Sequence, residues 1–224
     1  MTWLPSRMHR SSPEMYTLRC NEKDPISKIK ALLNKLTEDK FLAISLEMND
    51  LFRRDIHSEE SMTKVATSII TKATREPHYS KIYTELSLSI ISEKLEFKTV
   101  LLKVLQSSFT KLCNHRDLPN RMRGLTGCAT VIGEFYNHEL LSQRIYFLNV
   151  ANYLFEELSE DSLGALCVLI ATSRNNLKES KSTKESLRLY IEKIDDIRKD
   201  KSNGVSSRMR FLMLDVVEDR KKIV

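Results

Sequence analysis

The chain has 224 residues, of which 41% are hydrophobic and 29% charged, enough for one domain or one short repeat array and unlike a disordered composition. Five glycines and five prolines leave too few turn residues for a sheet-rich protein of this size, and neither G-x-G-x-x-G nor G-x-x-x-x-G-K-[ST] occurs. Lysine and arginine number 36 against 30 aspartates and glutamates, so the net charge of +6 suits either a solvated helical surface or a face that binds a polyanion such as RNA.

Residues 1–24 read as an extended tail carrying Pro5 and Pro13, with no apolar core of a secretory signal. Pro25 suits the first position of a helix. Ile26, Ile29, Leu33 and Leu36 then share one face at helical spacing. A second helix is marked by Phe41, Ile44, Met48, Leu51 and Phe52, and a third by Val65, Ile69, Ile70 and Ala73. Ile82, Leu86, Ile90 and Leu95 mark a fourth, and Val100, Leu101, Val104, Leu105, Phe109 and Leu112 a fifth. Acids in a first turn follow Thr37 and Ser58, Pro77 separates the third helix from the fourth, and Pro119 ends the fifth. Ser159-Glu160-Asp161 starts a later helix, Ser182 with Glu185 reads as a capping box, and Asn203-Gly204 is a turn before the last helix. The pattern predicts an all-α fold over 25–224, about ten helices in five antiparallel hairpins at a period of roughly 40 residues. A HEAT-type α-solenoid fits that even spacing better than a bundle, which is the competing architecture.

No reaction chemistry is evident. His138-Glu139 lacks the second histidine of H-E-x-x-H, and there is no G-x-S-x-G elbow. The five histidines are scattered near predicted helix ends, and Glu156-Glu157 and Asp195-Asp196 read as solvated faces. Cys20, Cys113, Cys128 and Cys167 lie far apart, as buried thiols of a reducing compartment would, and Cys113 with His115 is too little for a metal site. The expectation is a non-enzyme with no cofactor and no membrane segment, since Ile145–Phe155 and Leu163–Thr172 are too short to span a bilayer.

Two helices do not fit a simple core stripe. In the last, Met209, Leu212, Met213, Val216 and Val217 share a face, and Phe211 lies nearly opposite it at about 100° per residue. Phe211 either packs on a neighbouring element or anchors a partner protein, with Arg208 and Arg210 beside it. Around Leu163–Ile170 the core face is Leu163, Leu166, Cys167 and Ile170, with Val168 and Leu169 off it, so that helix is covered on two sides or offers a surface. Lys111, Arg116, Arg121, Arg123, Lys221 and Lys222 are candidate phosphate contacts, or else an ordinary basic loop and helix end.

Four motifs carry a resemblance. Leu33-Asn34-Lys35-Leu36-Thr37 with Lys40-Phe41 is similar to L-N-K-L-T-x-x-x-F, and Ala73 to Ser80 with Tyr83 to A-x-x-E-P-x-[FY]-S-x-x-Y. Ile132-Gly133-Glu134-Phe135-Tyr136 is similar to I-G-E-L-[FY], and Ser207 to Arg220 to S-S-R-I-R-F-M-L-Q-D-V-x-x-L-R. Their order over residues 26 to 222 resembles the middle domain of eukaryotic translation initiation factor 4-gamma, and Trp3-Leu4-Pro5-Ser6 resembles the W-x-P-S element just upstream of it.

That resemblance implies a five-repeat HEAT solenoid that clamps both lobes of the initiation machinery's DEAD-box RNA helicase, factor 4A, and speeds its ATP cycle. In linkage terms the scaffold favours one helicase conformation. It implies helicase contacts at Phe211, at Leu169 and Ile170, and, for the other lobe, at Trp3 and Pro5, with Arg208 and Arg210 matching the motif. It further implies contact with mRNA, its recruitment to the ribosome, a cytoplasmic location and the possibility of other initiation-factor partners. Three departures stand out: a family leucine before Gly127 is Thr126 here, the loop Asn114–Asn120 is short, and the Y-x-x-x-x-L-Φ motif for the cap-binding protein is not completed, since Tyr83 with Leu88 and Tyr153 with Leu158, both inside predicted helices, are followed by Ser89 and Ser159. The alternatives are a regulatory relative of the same fold in mRNA decay, splicing or translational control, and a nucleic-acid-binding HEAT protein with no helicase partner.

Overall fold

The computed structural model describes residues 24–141, 145–173 and 181–223, and within these the side chains of 145–148, 181–183, 186 and 220–223 fall outside the description. Ten α-helices lie among the described residues: α1 Pro25–Leu33, α2 Phe41–Asp55, α3 Glu59–Arg75, α4 Ser80–Glu93, α5 Glu96–Asn114, α6 Arg121–Asn137, α7 Ile145–Glu157, α8 Glu160–Ser173, α9 Lys181–Lys199 and α10 Ser207–Ile223. Single 3-10 turns at Glu38–Lys40 and Pro77–Tyr79 lead into α2 and α4.

The helices form two layers. Odd helices α1, α3 and α5 pack side by side in one, and even helices α2, α4, α6, α8 and α10 in the other. The stacking is written in lateral hydrogen bonds between equivalent helices. Asn49 Nδ2 donates to Ser89 Oγ at 2.7 Å across 40 residues, and Arg53 to Glu93 at 3.0 Å across 40. Lys94 Nζ donates to the Ile56 carbonyl across 38, and Asn137 Nδ2 to the Thr172 carbonyl across 35. A repeat of that period stacked one unit on the next is a HEAT-type solenoid.

Helix starts obey local chemistry. Ser58 Oγ accepts from the Ser61 amide at 3.1 Å and caps α3. At α8, Ser159 Oγ accepts from Ser162 N and Ser162 Oγ from Ser159 N, a reciprocal cap made with two serines. α9 begins at Lys181, and the side chain of Ser182, expected in a capping box, lies outside the described residues.

The core runs continuously along the stack, with Met48, Val65, Leu86, Phe97, Leu125, Leu166 and Ile194 fully buried. Phe52 and Phe97 meet edge to face at 4.9 Å between centroids. Cys113, Cys128 and Cys167 are free buried thiols, and burial pushes Cys128 and Cys167 up to about 12, so they are inert at neutral pH. Leu95, expected on the core face, is exposed, because it sits ahead of α5 and outside both helices it joins.

Close helix approach depends on Gly127. A β-carbon there would lie 2.0 Å from the Thr74 carbonyl oxygen, so α6 can rest on α3 only without a side chain at that position. Gly133 plays the same part against Thr172 of α8, where the added carbon would meet the side chain at 2.7 Å.

Candidate functional site

The motif residues fall into two groups once their surroundings are known. In the A-x-x-E-P stretch, Glu76 accepts from Lys72 Nζ at 2.7 Å and from Tyr83 Oη at 2.8 Å, and Ser80 Oγ donates to the Pro77 carbonyl. Burial pushes the Glu76 carboxyl up, but the bonds from Lys72 and Tyr83 outweigh it and hold the group below its usual range. Burial and that carboxylate push the Tyr83 phenol well above its ordinary value. In the I-G-E-F-Y stretch, Ile132, Phe135 and Tyr136 are core and Gly133 admits α8. These residues build the fold, while Arg75, His78 and Tyr79 of the first stretch stay exposed.

The last motif differs. Met209, Met213 and Val216 are buried, with Leu212 and Val217 partly buried against the core. Phe211 is 68% exposed, and Arg208 is exposed on the same helix. A groove between α8 and α10 starts at Leu212, the residue after Phe211, and is lined by Cys167, Val168, Ile170, Ala171, Leu212, Asp215, Val216 and Asp219, with Phe211 outside its lining. A large exposed ring next to an apolar groove is the geometry of a binding anchor, because neither is satisfied within the chain.

Several sequence expectations change here. Leu169 and Ile170 are 0% and 1% exposed, since α8 is covered by α6, α7 and α10 together; Ile170 reaches only the floor of the groove, and the part-exposed residue of that stretch is Val168. Arg210 is committed inside its own hairpin. It donates to the carbonyls of Val205 and Arg198 and, at 2.8 Å, to Asn203 Oδ1, so it clamps the α9–α10 turn.

Arg121 is the clearest correction. Its side chain is 4% exposed and sits on the Glu157 carboxylate, itself 3% exposed, with bonds of 2.7 and 2.8 Å from one guanidinium nitrogen. It also donates to the Leu112 carbonyl at 2.9 Å and lies 3.4 Å from Asp161. A buried arginine spent on two carboxylates and a carbonyl pins α5, α6, α7 and α8 together and has nothing left for phosphate. Arg116, largely exposed, lies 3.5 Å from the same Glu157. Lys111 and Arg123 remain exposed. Arg123 reaches the Arg75 carbonyl at 3.4 Å, which brings exposed Arg75 beside it from the neighbouring hairpin; that pairing spans 48 residues and had no signal in the sequence. The side chains of Lys221 and Lys222, and all of Trp3 and Pro5, lie outside the described residues. Among the described residues no cluster of histidine, cysteine, aspartate or glutamate could hold a metal ion, and no helix is long and apolar enough to cross a membrane.

Comparison with known proteins decides the family. The MIF4G domain family matches residues 26–222. The chain belongs to the MIF4G domain family. It is 24% identical to a wheat "Eukaryotic translation initiation factor 4G" over 96% of this chain and 16% of that protein. It is 26% identical to mouse "Eukaryotic translation initiation factor 4 gamma 1" over 88% of this chain and 14% of the relative. It is also 25% identical, over 87% of this chain, to a Dictyostelium discoideum "von Willebrand factor A domain-containing protein". The chain therefore spans a small part of the length of the initiation factors it matches.

Proposed function

We propose that this domain is a translation-initiation scaffold that binds a factor-4A-type DEAD-box RNA helicase and raises its ATPase rate without doing chemistry itself. The observation that carries the reading is Phe211: in a motif whose Met209, Leu212, Met213, Val216 and Val217 are spent on packing, its ring stands 68% exposed, next to Leu212 of the α8–α10 groove. The names of the relatives, which are initiation factors, support the same setting. Stimulation follows if the scaffold binds one arrangement of the helicase lobes more tightly than the others. Trp3 and Pro5 are assigned to the second lobe, on the resemblance of their motif.

Calorimetric titration of the helicase into the full chain tests this. Phe211→Ala should weaken binding by roughly tenfold or more, the cost of losing an aromatic anchor. Unchanged affinity would remove the α10 face from the contact.

RNA is a second ligand in this reading, held by Lys111, Arg116, Arg123 and Arg75, with Lys221 and Lys222 as further candidates. Binding of a single strand should weaken with salt at a slope near −0.7 per phosphate neutralised. A flat response would remove RNA. The alternative, a regulatory protein of the same fold with another helicase, finds support in the Dictyostelium relative, whose name is not that of an initiation factor. Binding by a different DEAD-box helicase in preference to factor 4A would favour it.

A further inference from the structure

Leu158, between α7 and α8, has φ 51°, a left-handed conformation that glycine adopts freely and leucine does not. A residue just past a helix C-terminus is very commonly glycine for that reason. Here a leucine occupies the position, and its side chain is 56% exposed, so packing within the chain does not offset the strain.

Leu158 forms one wall of an open groove whose other apolar residues are Leu163, Ile197 and Val205. The groove holds about 510 Å³ and lies between the α7–α8 turn, the end of α9 and the α9–α10 turn. Its polar rim is Asp196, Asp200 and Asn203. Ser202 donates to Asp200 from its amide at 2.8 Å and its hydroxyl at 2.6 Å, and these bonds hold the carboxyl below the usual range. Lys201, next to Asp200 in sequence, is exposed, and the other nearby cations make bonds outside the groove. Arg198 and Lys199 both sit 2.6 Å from Asp195, and Arg210, which also bears on Asp200, donates to carbonyl and amide oxygens. On a chain of net charge +6, this is an apolar slot with an acidic edge.

We propose that the groove at Leu158 is a second docking site, separate from the Phe211 face, for a peptide segment of another protein in which an apolar side chain is flanked by lysine or arginine. The apolar residue enters between Leu158, Ile197 and Val205, and the cation meets Asp196 and Asp200. Leucine in place of glycine at a left-handed position serves the partner at the expense of the fold.

The test uses a random peptide library displayed on phage and selected on the full chain. The expected result is a consensus of one large apolar residue next to basic residues. A synthetic peptide of that consensus should bind at least tenfold more weakly to Leu158→Gly and to Asp196→Lys, and equally to wild type and Phe211→Ala. Leu158→Gly should melt at or above the wild-type temperature, because it relieves strain, so its loss of binding is not loss of fold. Four results overturn the proposal: no consensus, a consensus lacking basic residues, a peptide that binds Leu158→Gly as well as wild type, or one that loses affinity for Phe211→Ala. A consensus matching Arg7–Arg10 of this chain, or self-association abolished by Leu158→Gly, would assign the groove to the chain's own segment or to a second copy and overturn the partner assignment.

Discussion

Arg121 in α6 and Phe211 in α10 belong to stretches that look alike in sequence, each an amphipathic helix start rich in arginine. In the fold they are opposites. Arg121 is buried on Glu157 and Asp161 at the junction of four helices, whereas Phe211 stands in solvent beside an apolar groove. Charge density along a sequence does not separate cations that face a ligand from cations that hold helices together. Burial separates them. At the junction the arginine is structure and a candidate phosphate contact disappears; on α10 the aromatic ring has no structural duty and a binding role remains.

Substitutions sharpen that contrast. Arg121→Ala should cost about 3 kcal/mol, the low end for breaking a buried pair, because it leaves the buried Glu157 carboxylate with only the exposed Arg116 at 3.5 Å, and chemical denaturation would measure it. A loss under about 1 kcal/mol would mean that the junction opens to water and that Arg121 could reach a ligand after all. Gly127→Ala should cost about 1–3 kcal/mol or more, since its new carbon collides with the Thr74 carbonyl rather than with a side chain that can turn away. A midpoint unchanged in urea would contradict the tight α3–α6 approach.

A pH series separates two carboxylates of the same layered stack. Glu76 has a folded value below its ordinary 4.5, so its contribution is complete above that value and is lost as pH falls through the lower folded value. Glu76→Gln should lower stability at pH 7 by about 1 kcal/mol and flatten the acid limb below pH 4.5. Glu134 is shifted the other way, chiefly by burial, so its contribution is present at low pH and is lost as pH rises through the raised folded value. Glu134→Gln should leave stability at pH 7 equal or a few tenths of a kcal/mol higher, read as a small rise in melting temperature. The smallest effect is expected at the other pole of the comparison. Phe211→Ala should change stability by less than about 0.5 kcal/mol, because truncating an exposed ring opens no cavity.

Most of the fold was legible because helical spacing and the turn signals at Ser58, Pro77, Ser159 and Asn203-Gly204 agree at each level. The exposed ring of Phe211 was legible for the same reason: a stripe of Met209, Met213 and Val216 forces the residue opposite it outward. What could not be read was set by contacts between hairpins. Leu169 reads as off the core stripe, yet neighbours on two sides bury it. Arg121 meets Glu157 across 36 residues, Arg123 meets Arg75 across 48, and Arg210 turns back on its own loop. None of these pairings has a local pattern: the first two depend on how one hairpin lies on the next, and the third on how the α9–α10 turn folds back on its own helix. The groove at Leu158 was hidden for another reason, because a backbone angle carries no signal in a leucine.

The most direct test of the account is the RNA-dependent ATPase rate of a factor-4A-type helicase, measured alone, with the wild-type chain, and with Phe211→Ala of unchanged melting temperature. Stimulation by the wild type and its loss in the variant are expected. Full stimulation by Phe211→Ala, or none by the folded wild type, would contradict the claim that the exposed face of α10 is where this scaffold acts.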